Sequence, residues 1–219
     1  MRERIARAAE RRGSDPSAIC LVAVSKGVEA ERIGQAITAG VTDLGENYLQ
    51  EALPKLAVLG DRARWHFIGH LQTNKARAAV GRFALIQSLD SERLANELER
   101  RAGEAGVCAE VLVEVNTSGD PGKFGVAPEG LEPLLAHCGQ LAHLRVRGLM
   151  TIGRLGAEAE GTRACFRTLA GLFSRCRDVP GVEMRWLSMG MSGDFEIAIE
   201  EGSNMVRVGT AIFGPRPSR

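Results

Sequence analysis

Neither sign of charge prevails in this chain: 28 basic side chains stand against 27 acidic ones, a formal net charge of +1. That balance gives no electrostatic reason to expect nucleic acid or an anionic membrane surface as a partner. Long apolar runs are missing too. No stretch approaches the roughly 20 apolar residues needed to span a bilayer. The basic N-terminus, MRERIARAAERR, has no apolar segment after it of the kind a secretory signal requires. It reads as an exposed amphipathic helix, with residues 1–18 leading into the first strand. Cysteine is sparse and unpatterned: Cys20, Cys108, Cys138, Cys165 and Cys176 are odd in number and never form a C-x-x-C pair. Free thiols in a reducing cytoplasm fit this better than a disulfide framework, so a cytoplasmic location is expected.

What is present is an alternation. Apolar residues make up 44% and charged residues 25% of the 219, enough for a sizeable core under a hydrated surface. Short apolar runs read as strands at Ile19–Ser25, Val41–Leu44, Trp65–Gly69, Ala84–Leu89, Glu110–Val115, Leu144–Met150, Met184–Ser188 and Met205–Phe213. Helical spacing separates them: the stripe Ile33, Ala36, Ile37, then a stretch through about Leu59, then Gln72–Val80, Glu92–Ala105, Pro128–Cys138, Glu158–Arg177 and Asp194–Glu201. Strands and helices in strict alternation imply a parallel sheet, and eight units suggest closure into a barrel. The competing architecture, an open doubly wound sheet, normally carries G-x-G-x-x-G after its first strand, whereas this chain has Ser25-Lys26-Gly27. No linker, repeat or low-complexity run divides the chain, so residues 1–219 are expected to be one domain.

Chemistry in such barrels sits at the C-terminal ends of the strands. Lys26 closes an apolar strand, where desolvation lowers an amine's pKa and frees it to attack an aldehyde; the bland reading is a lysine that snorkels to the rim. Gly209-Thr210 after the last strand and Ser188 to Ser192 after the seventh match a common barrel phosphate site, although small residues also cluster simply to pack. Together these leave two ligand classes open, a phosphorylated sugar on a Schiff-base lysine or pyridoxal 5′-phosphate (PLP). Arg207, inside an apolar strand, needs an acceptor: the ligand, Glu114 or Glu46. His66 and His70 have helical metal-pair spacing but lie along a strand, about 13 Å apart, so no metal site is expected. The Gly119–Phe124 stretch fails as a Walker loop, and Gly122–Gly125 reads as flexible. Tyr48, the single tyrosine, is as readily a packing residue as a catalytic one.

Seven segments are distinctive: LVAVSK (Leu21–Lys26), GENYLQE (Gly45–Glu51), WHFIGHLQTNK (Trp65–Lys75), KFG (Lys123–Gly125), RGLMTI (Arg147–Ile152), LSMGMSGDFEIAI (Leu187–Ile199) and MVRVGTAIFG (Met205–Gly214). In one order, from near residue 1 to about residue 216, they closely resemble the PLP homeostasis protein family. The resemblance implies an α/β fold, a single (β/α)8 TIM barrel similar to the N-terminal domain of alanine racemase (PLP-dependent fold type III) without the C-terminal β domain. It implies PLP as cofactor, with Lys26 matching the lysine of the internal aldimine, a Schiff base. Ser188, Gly209 and Thr210 match phosphate-binding positions, with Met191 and Ser192 close by. Arg207 matches the arginine beside the pyridine nitrogen, and Asn47 a polar residue near the ring. No catalytic residue is implied. The family is associated with keeping free PLP low and available, and with balanced amino-acid and keto-acid pools; apo PLP-dependent enzymes are the partners this suggests.

An arginine does not hand a titrating proton to the ring nitrogen, so the ring is a poorer electron sink. Racemases of this fold add an acid/base residue on a further β domain, for which this chain leaves no room after its eighth strand. A cofactor-holding monomer rather than an enzyme is therefore expected; the alternative is a small PLP-dependent enzyme such as an amino-acid racemase. Some relatives carry a second lysine two places after the Schiff-base lysine, where this chain has Val28. Lys55 and Lys123 are the remaining candidates for a secondary or transfer site, and His70 falls where relatives vary.

Overall fold

The computed structural model describes residues 1–153 and 158–215. The apolar runs pair side by side as β1 (Cys20–Val24), β2 (Asp43–Glu46), β3 (Arg64–Phe67), β4 (Leu85–Leu89), β5 (Ala109–Glu114), β6 (Leu144–Met150), β7 (Trp186–Ser188) and β8 (Met205–Val208). Every neighbour pair is parallel, and β8 returns to β1, with Val22 opposite Arg207 and Ala23 opposite Val208. The sheet is thus a closed barrel in sequence order, which excludes the open doubly wound alternative.

Helices fill the connections: α1 (Arg2–Arg12) before the barrel, then α2 (Ala30–Thr38), α3 (Leu49–Leu59), α4 (Ala76–Ala79), α5 (Glu92–Ala105), α6 (Leu131–Cys138), α7 (Ala159–Arg175), α8 (Phe195–Glu200) and α9 (Thr210–Phe213). Local chemistry sets the clearest of them. The Ser91 side chain accepts from the Leu94 N–H at the start of α5, and Gly106 ends it at φ 66°, a left-handed turn that only glycine adopts cheaply. Leu94, Leu98 and Ala102 of α5, Leu131 and Leu135 of α6, and Phe166 and Leu169 of α7 bury their faces in the main core between helices and strands. A small second core, Val22, Leu85, Leu112, Met150 and Met205, occupies the barrel interior.

Helix α1 is not exposed all round, as its charge suggests. Ile5, Ala8 and Ala9 pack with Phe195 and Ile199 of α8 and with Val206 and Val208 of β8. Arg4–Glu196 and Arg11–Glu200 ion pairs flank that contact. The reason is geometric: α8 is only two turns long, and α1 covers apolar strand surface that it leaves bare. The last strand also ends earlier than expected. β8 stops at Val208, Gly209 takes φ −111° and ψ −78°, and Thr210–Phe213 continue as α9, whose Phe213 packs into the outer core. The one-domain expectation includes residues 154–157 and 216–219, which lie outside the described residues.

Candidate functional site

Strand β1 delivers Lys26 into a tight turn, in which the Val28 N–H donates to the Ser25 carbonyl at 3.0 Å and Gly27 sits at φ 70°. The turn is held from below. Ser25 Oγ donates to Glu46 Oε1 at 2.7 Å, and Lys55 Nζ donates both to that oxygen, at 2.7 Å, and to the Ser25 carbonyl, at 2.8 Å. The Gly27 N–H donates to Glu51 Oε2 at 2.9 Å. Lys26 itself is half-buried. Burial raises the Glu46 carboxyl pKa, against the hydrogen bonds from Lys55 and Ser25 that lower it. Glu46 Oε2 is buried without a partner. Lys55, a sequence candidate for a secondary or transfer site, stands beneath the Lys26 turn, with its ammonium held by Glu46 and the Ser25 carbonyl. Lys123 is likewise engaged, donating to the Gly153 carbonyl at 2.6 Å.

On the next two strands round the barrel, Arg207 points inward and is 4% exposed. Its Nη1 donates to Ser188 Oγ at 2.6 Å and its Nη2 to the Thr151 carbonyl at 2.8 Å. Burial lowers its pKa to about 10, with Glu114 and Asp194 opposing the fall. It therefore stays charged near neutral pH. Of the acceptors the sequence offers, Glu46 belongs to Lys55, while Glu114 acts on Arg207 through charge. Ser188, expected at a phosphate, is fully buried, with its hydroxyl given to Gln87 and accepting from Arg207. The rim proper carries Met191, Ser192, Gly209 and Thr210. The Gly209 N–H donates to Ser192 Oγ at 3.2 Å, and the Met191 N–H donates to Asp194 Oδ1 at 2.6 Å. Met191, Ser192 and Gly209 are half-buried and Thr210 is exposed. Gly190 lets α8 approach this rim, since a Cβ there would lie 2.5 Å from Ala198 Cβ.

Across the mouth, Asn47 follows β2, and its Oδ1 is buried without a partner. It lines a cavity of about 490 Å³ together with Ile68, His70, Lys75, Glu114 and Phe124. His70 and Phe124 stack with centroids 3.7 Å apart and planes 9° from parallel, joining the loop after β3 to the loop after β5. The second loop, expected to be flexible, is drawn into a turn by its own hydrogen bonds. Asn116 Nδ2 donates to the Asp120 carbonyl at 2.8 Å, and Asn116 Oδ1 accepts from Ser118 Oγ at 2.8 Å. Tyr48 is exposed at the cavity edge, not packed. Desolvation raises the Glu114 carboxyl to about 7, a rise that Arg207 opposes and Asp90 assists. His66 lies in the barrel interior against Asp43, while His70 lies at the mouth near Asp90, so the two histidines serve different surroundings.

The fold thus gathers Lys26, Asn47, Met191, Ser192, Arg207, Gly209 and Thr210 at the C-terminal end of four adjacent strands, β7, β8, β1 and β2. Sequence reasoning missed Glu46 and Lys55 as the support of Lys26, and Gln87, His66 and Asp43 as interior polar groups. Glu46, Gln87, His66 and Asp43 showed only as polar residues interrupting strands, and Lys55 only as a polar residue of α3.

Comparison with known proteins places the chain. Residues 1–217 match the family described as alanine racemase, N-terminal domain. A pyridoxal phosphate homeostasis protein of Aquifex aeolicus is 43% identical over 98% of this chain and 94% of its own. PipY of Synechococcus elongatus, solved with PLP bound, is 40% identical, with a TM-score of 0.85 over 96% of this chain and 100% of that one. Alanine racemase of Corynebacterium glutamicum, at 20% identity and a TM-score of 0.70, covers 99% of this chain with 61% of its own and shares the fold. The chain belongs to the alanine racemase N-terminal domain family and, within it, to the pyridoxal phosphate homeostasis proteins.

Proposed function

We propose that this chain binds PLP through Lys26 and serves PLP homeostasis, holding and releasing the cofactor rather than turning over a substrate with it. The observation that carries the reading is the gathering of a half-buried lysine, a buried arginine and a glycine–threonine rim on one barrel mouth, in a chain 40% identical to a PLP-bound protein. The residues present suit the group. Asn47 Oδ1, buried without a partner beside the cavity, offers a polar contact for a ring substituent. Ser192, Gly209 and Thr210 offer hydroxyl and backbone donors to a phosphate, with Met191 beside them. Ser188 would enter by holding Arg207, which would serve the ring nitrogen.

PLP, when bound, supplies an electrophilic aldehyde that an amine takes up and gives back. The chain's own residues do the rest. Glu46, Glu51 and Lys55 fix the turn that carries the amine. Arg207 is a donor-only cation and would pass no proton to a ring nitrogen, which would leave the group a weak electron sink. That favours a carrier. The finer points of the reading are a cytoplasmic monomer of one domain, residues 1–219, with apo PLP-dependent enzymes as recipients. On the side of an enzyme stands Glu114, a buried carboxyl near 7 at the same mouth, the range of a general acid/base.

The test is the absorbance of purified protein with PLP, wild type and Lys26→Ala, before and after borohydride. A visible band in wild type alone, with the reduced adduct on Lys26, is the expected result. Absence of the band from both proteins would return the mouth to a phosphorylated sugar. Racemisation of amino acids at ordinary enzymatic rates would replace the carrier by the enzyme.

A further inference from the structure

The barrel interior holds a row of polar side chains, of which the proposed function uses only Arg207 and, through it, Ser188. It begins at Arg207, which has donors and no acceptor. Arg207 Nη1 donates to Ser188 Oγ at 2.6 Å, so the proton of Ser188 has to point elsewhere, and it goes to Gln87 Oε1 at 2.7 Å. With its oxygen spoken for, the Gln87 amide presents its nitrogen to His66 Nδ1 at 3.0 Å, and to Met205 Sδ at 3.2 Å. Nδ1 must then accept, which puts the proton of the neutral ring on Nε2, 2.9 Å from Asp43 Oδ1. Asp43 ends the row at the opposite opening, held by Arg64 Nη2 and Thr42 Oγ1, each at 2.8 Å. The links come from β8, β7, β4, β3 and β2 in turn, and from Arg207 to Asp43 every donor points the same way. The five side chains in the row are each at most 4% exposed.

Their neighbours inside the barrel, Val22, Leu85, Leu112 and Met150, are apolar, so apolar packing was open to this interior. Buried polar rows are costly unless every member is satisfied, and a satisfied row admits one arrangement. We infer that Ser188, Gln87, His66 and Asp43 form a one-way hydrogen-bonded spine that fixes where Arg207 presents its charge, making Gln87 and His66 positioning residues for a ligand at the far rim. This rests on the reading that Arg207 faces bound PLP.

Two measurements decide it. The first is ring 15N NMR of His66 in the wild-type protein, with and without PLP. The spine requires the proton on Nε2 and a shift of the ring signals when PLP binds. A proton on Nδ1, or signals indifferent to bound PLP, would overturn it. The second is PLP affinity and band position for Gln87→Leu, His66→Leu and His66→Gln. The two leucine variants should weaken binding about tenfold, the size expected when an outer partner of a ligand-holding group is lost, and should move the visible band. His66→Gln can accept from Gln87 and donate to Asp43, and should restore both readouts, which a merely space-filling role would not require. Folded leucine variants with wild-type affinity and spectrum would refute the spine, and if they do not fold, the NMR result stands alone as the decision. A wild-type protein that binds no PLP would instead sink the functional reading, and the His66 tautomer would still judge the order of the row.

Discussion

Lys55 Nζ and Glu46 Oε1 lie 2.7 Å apart against the turn that carries Lys26, in a pair whose side chains are 11% and 0% exposed. The same ammonium holds the Ser25 carbonyl, so one ion pair sets both a buried charge and the backbone leading to Lys26. Removing one member of a buried pair strands the other. Lys55→Met should therefore cost about 3–5 kcal/mol of stability, read as a lower urea midpoint, and should weaken PLP binding with Lys26 still in place. Replacing both, as Lys55→Met with Glu46→Gln, should recover part of the stability. An unchanged midpoint in the single variant would show that Glu46 does not depend on Lys55.

Glu114 gives a pH signature. Its carboxyl rises from an ordinary 4.5 to about 7 because burial disfavours the charge. Between those values the native state holds a proton that the unfolded chain has lost, so stability falls as pH rises through the window and levels off above it. Glu114→Gln should remove that slope. Urea midpoints at about pH 5 and about pH 8 are the check, with a difference on the order of 2 kcal/mol expected in wild type and largely absent from the variant. A variant that keeps the full slope would assign it to another group.

Gly69 ties the cavity wall to Asn47. A Cβ at this position would fall 2.2 Å from the Asn47 carbonyl oxygen, backbone against backbone, with no side chain able to move aside. Gly69→Ala should force the loops after β2 and β3 apart, at roughly 1–3 kcal/mol. It should lower the melting temperature and weaken PLP binding together, because Asn47 shifts with the strand end. Gly171→Ala, in α7 where nothing lies within 4 Å, is the control and should leave PLP binding unchanged and the melting temperature the same or slightly higher. A Gly69→Ala protein as stable as the control would mean that the rim gives way more easily than its backbone contacts imply.

Helix α5 was readable to the residue because its signals are local: a serine that caps, a stripe of leucine and alanine, and a terminal glycine lie within its own stretch. The end of β8 was not. The run after Gly209 is as apolar as a strand, and it becomes a helix only because β1 and β7 offer pairing no further than Val208. The helix at the N-terminus showed its amphipathic face but not what covers it, since Phe195 and Ile199 lie nearly two hundred residues away in the chain. At the candidate site, the positions of Lys26, Asn47, Arg207 and the Gly209–Thr210 rim at the strand ends were legible from the strand pattern, and their proposed roles came from family resemblance. The pairing of Lys55 was not legible, because a free lysine and a paired one read alike until Glu46 is brought beside it.

The sequence alone determined what periodicity and strand-end chemistry can carry: an alternation of strands and helices long enough for a closed barrel, a lysine at the end of an apolar strand, and motifs that mark a family. Only the tertiary structure decided which polar residues meet. Asp43, His66, Gln87, Ser188 and Arg207 stand on five strands, separated by as few as 19 and as many as 101 residues from the side chain each touches. Along each strand they are only polar residues in a short run, some beside a second one, as Gln87 is beside Ser88. Closing the barrel turns alternate positions of every strand toward one axis, and that shared inward face, a property of no single segment, brings them within hydrogen-bonding distance.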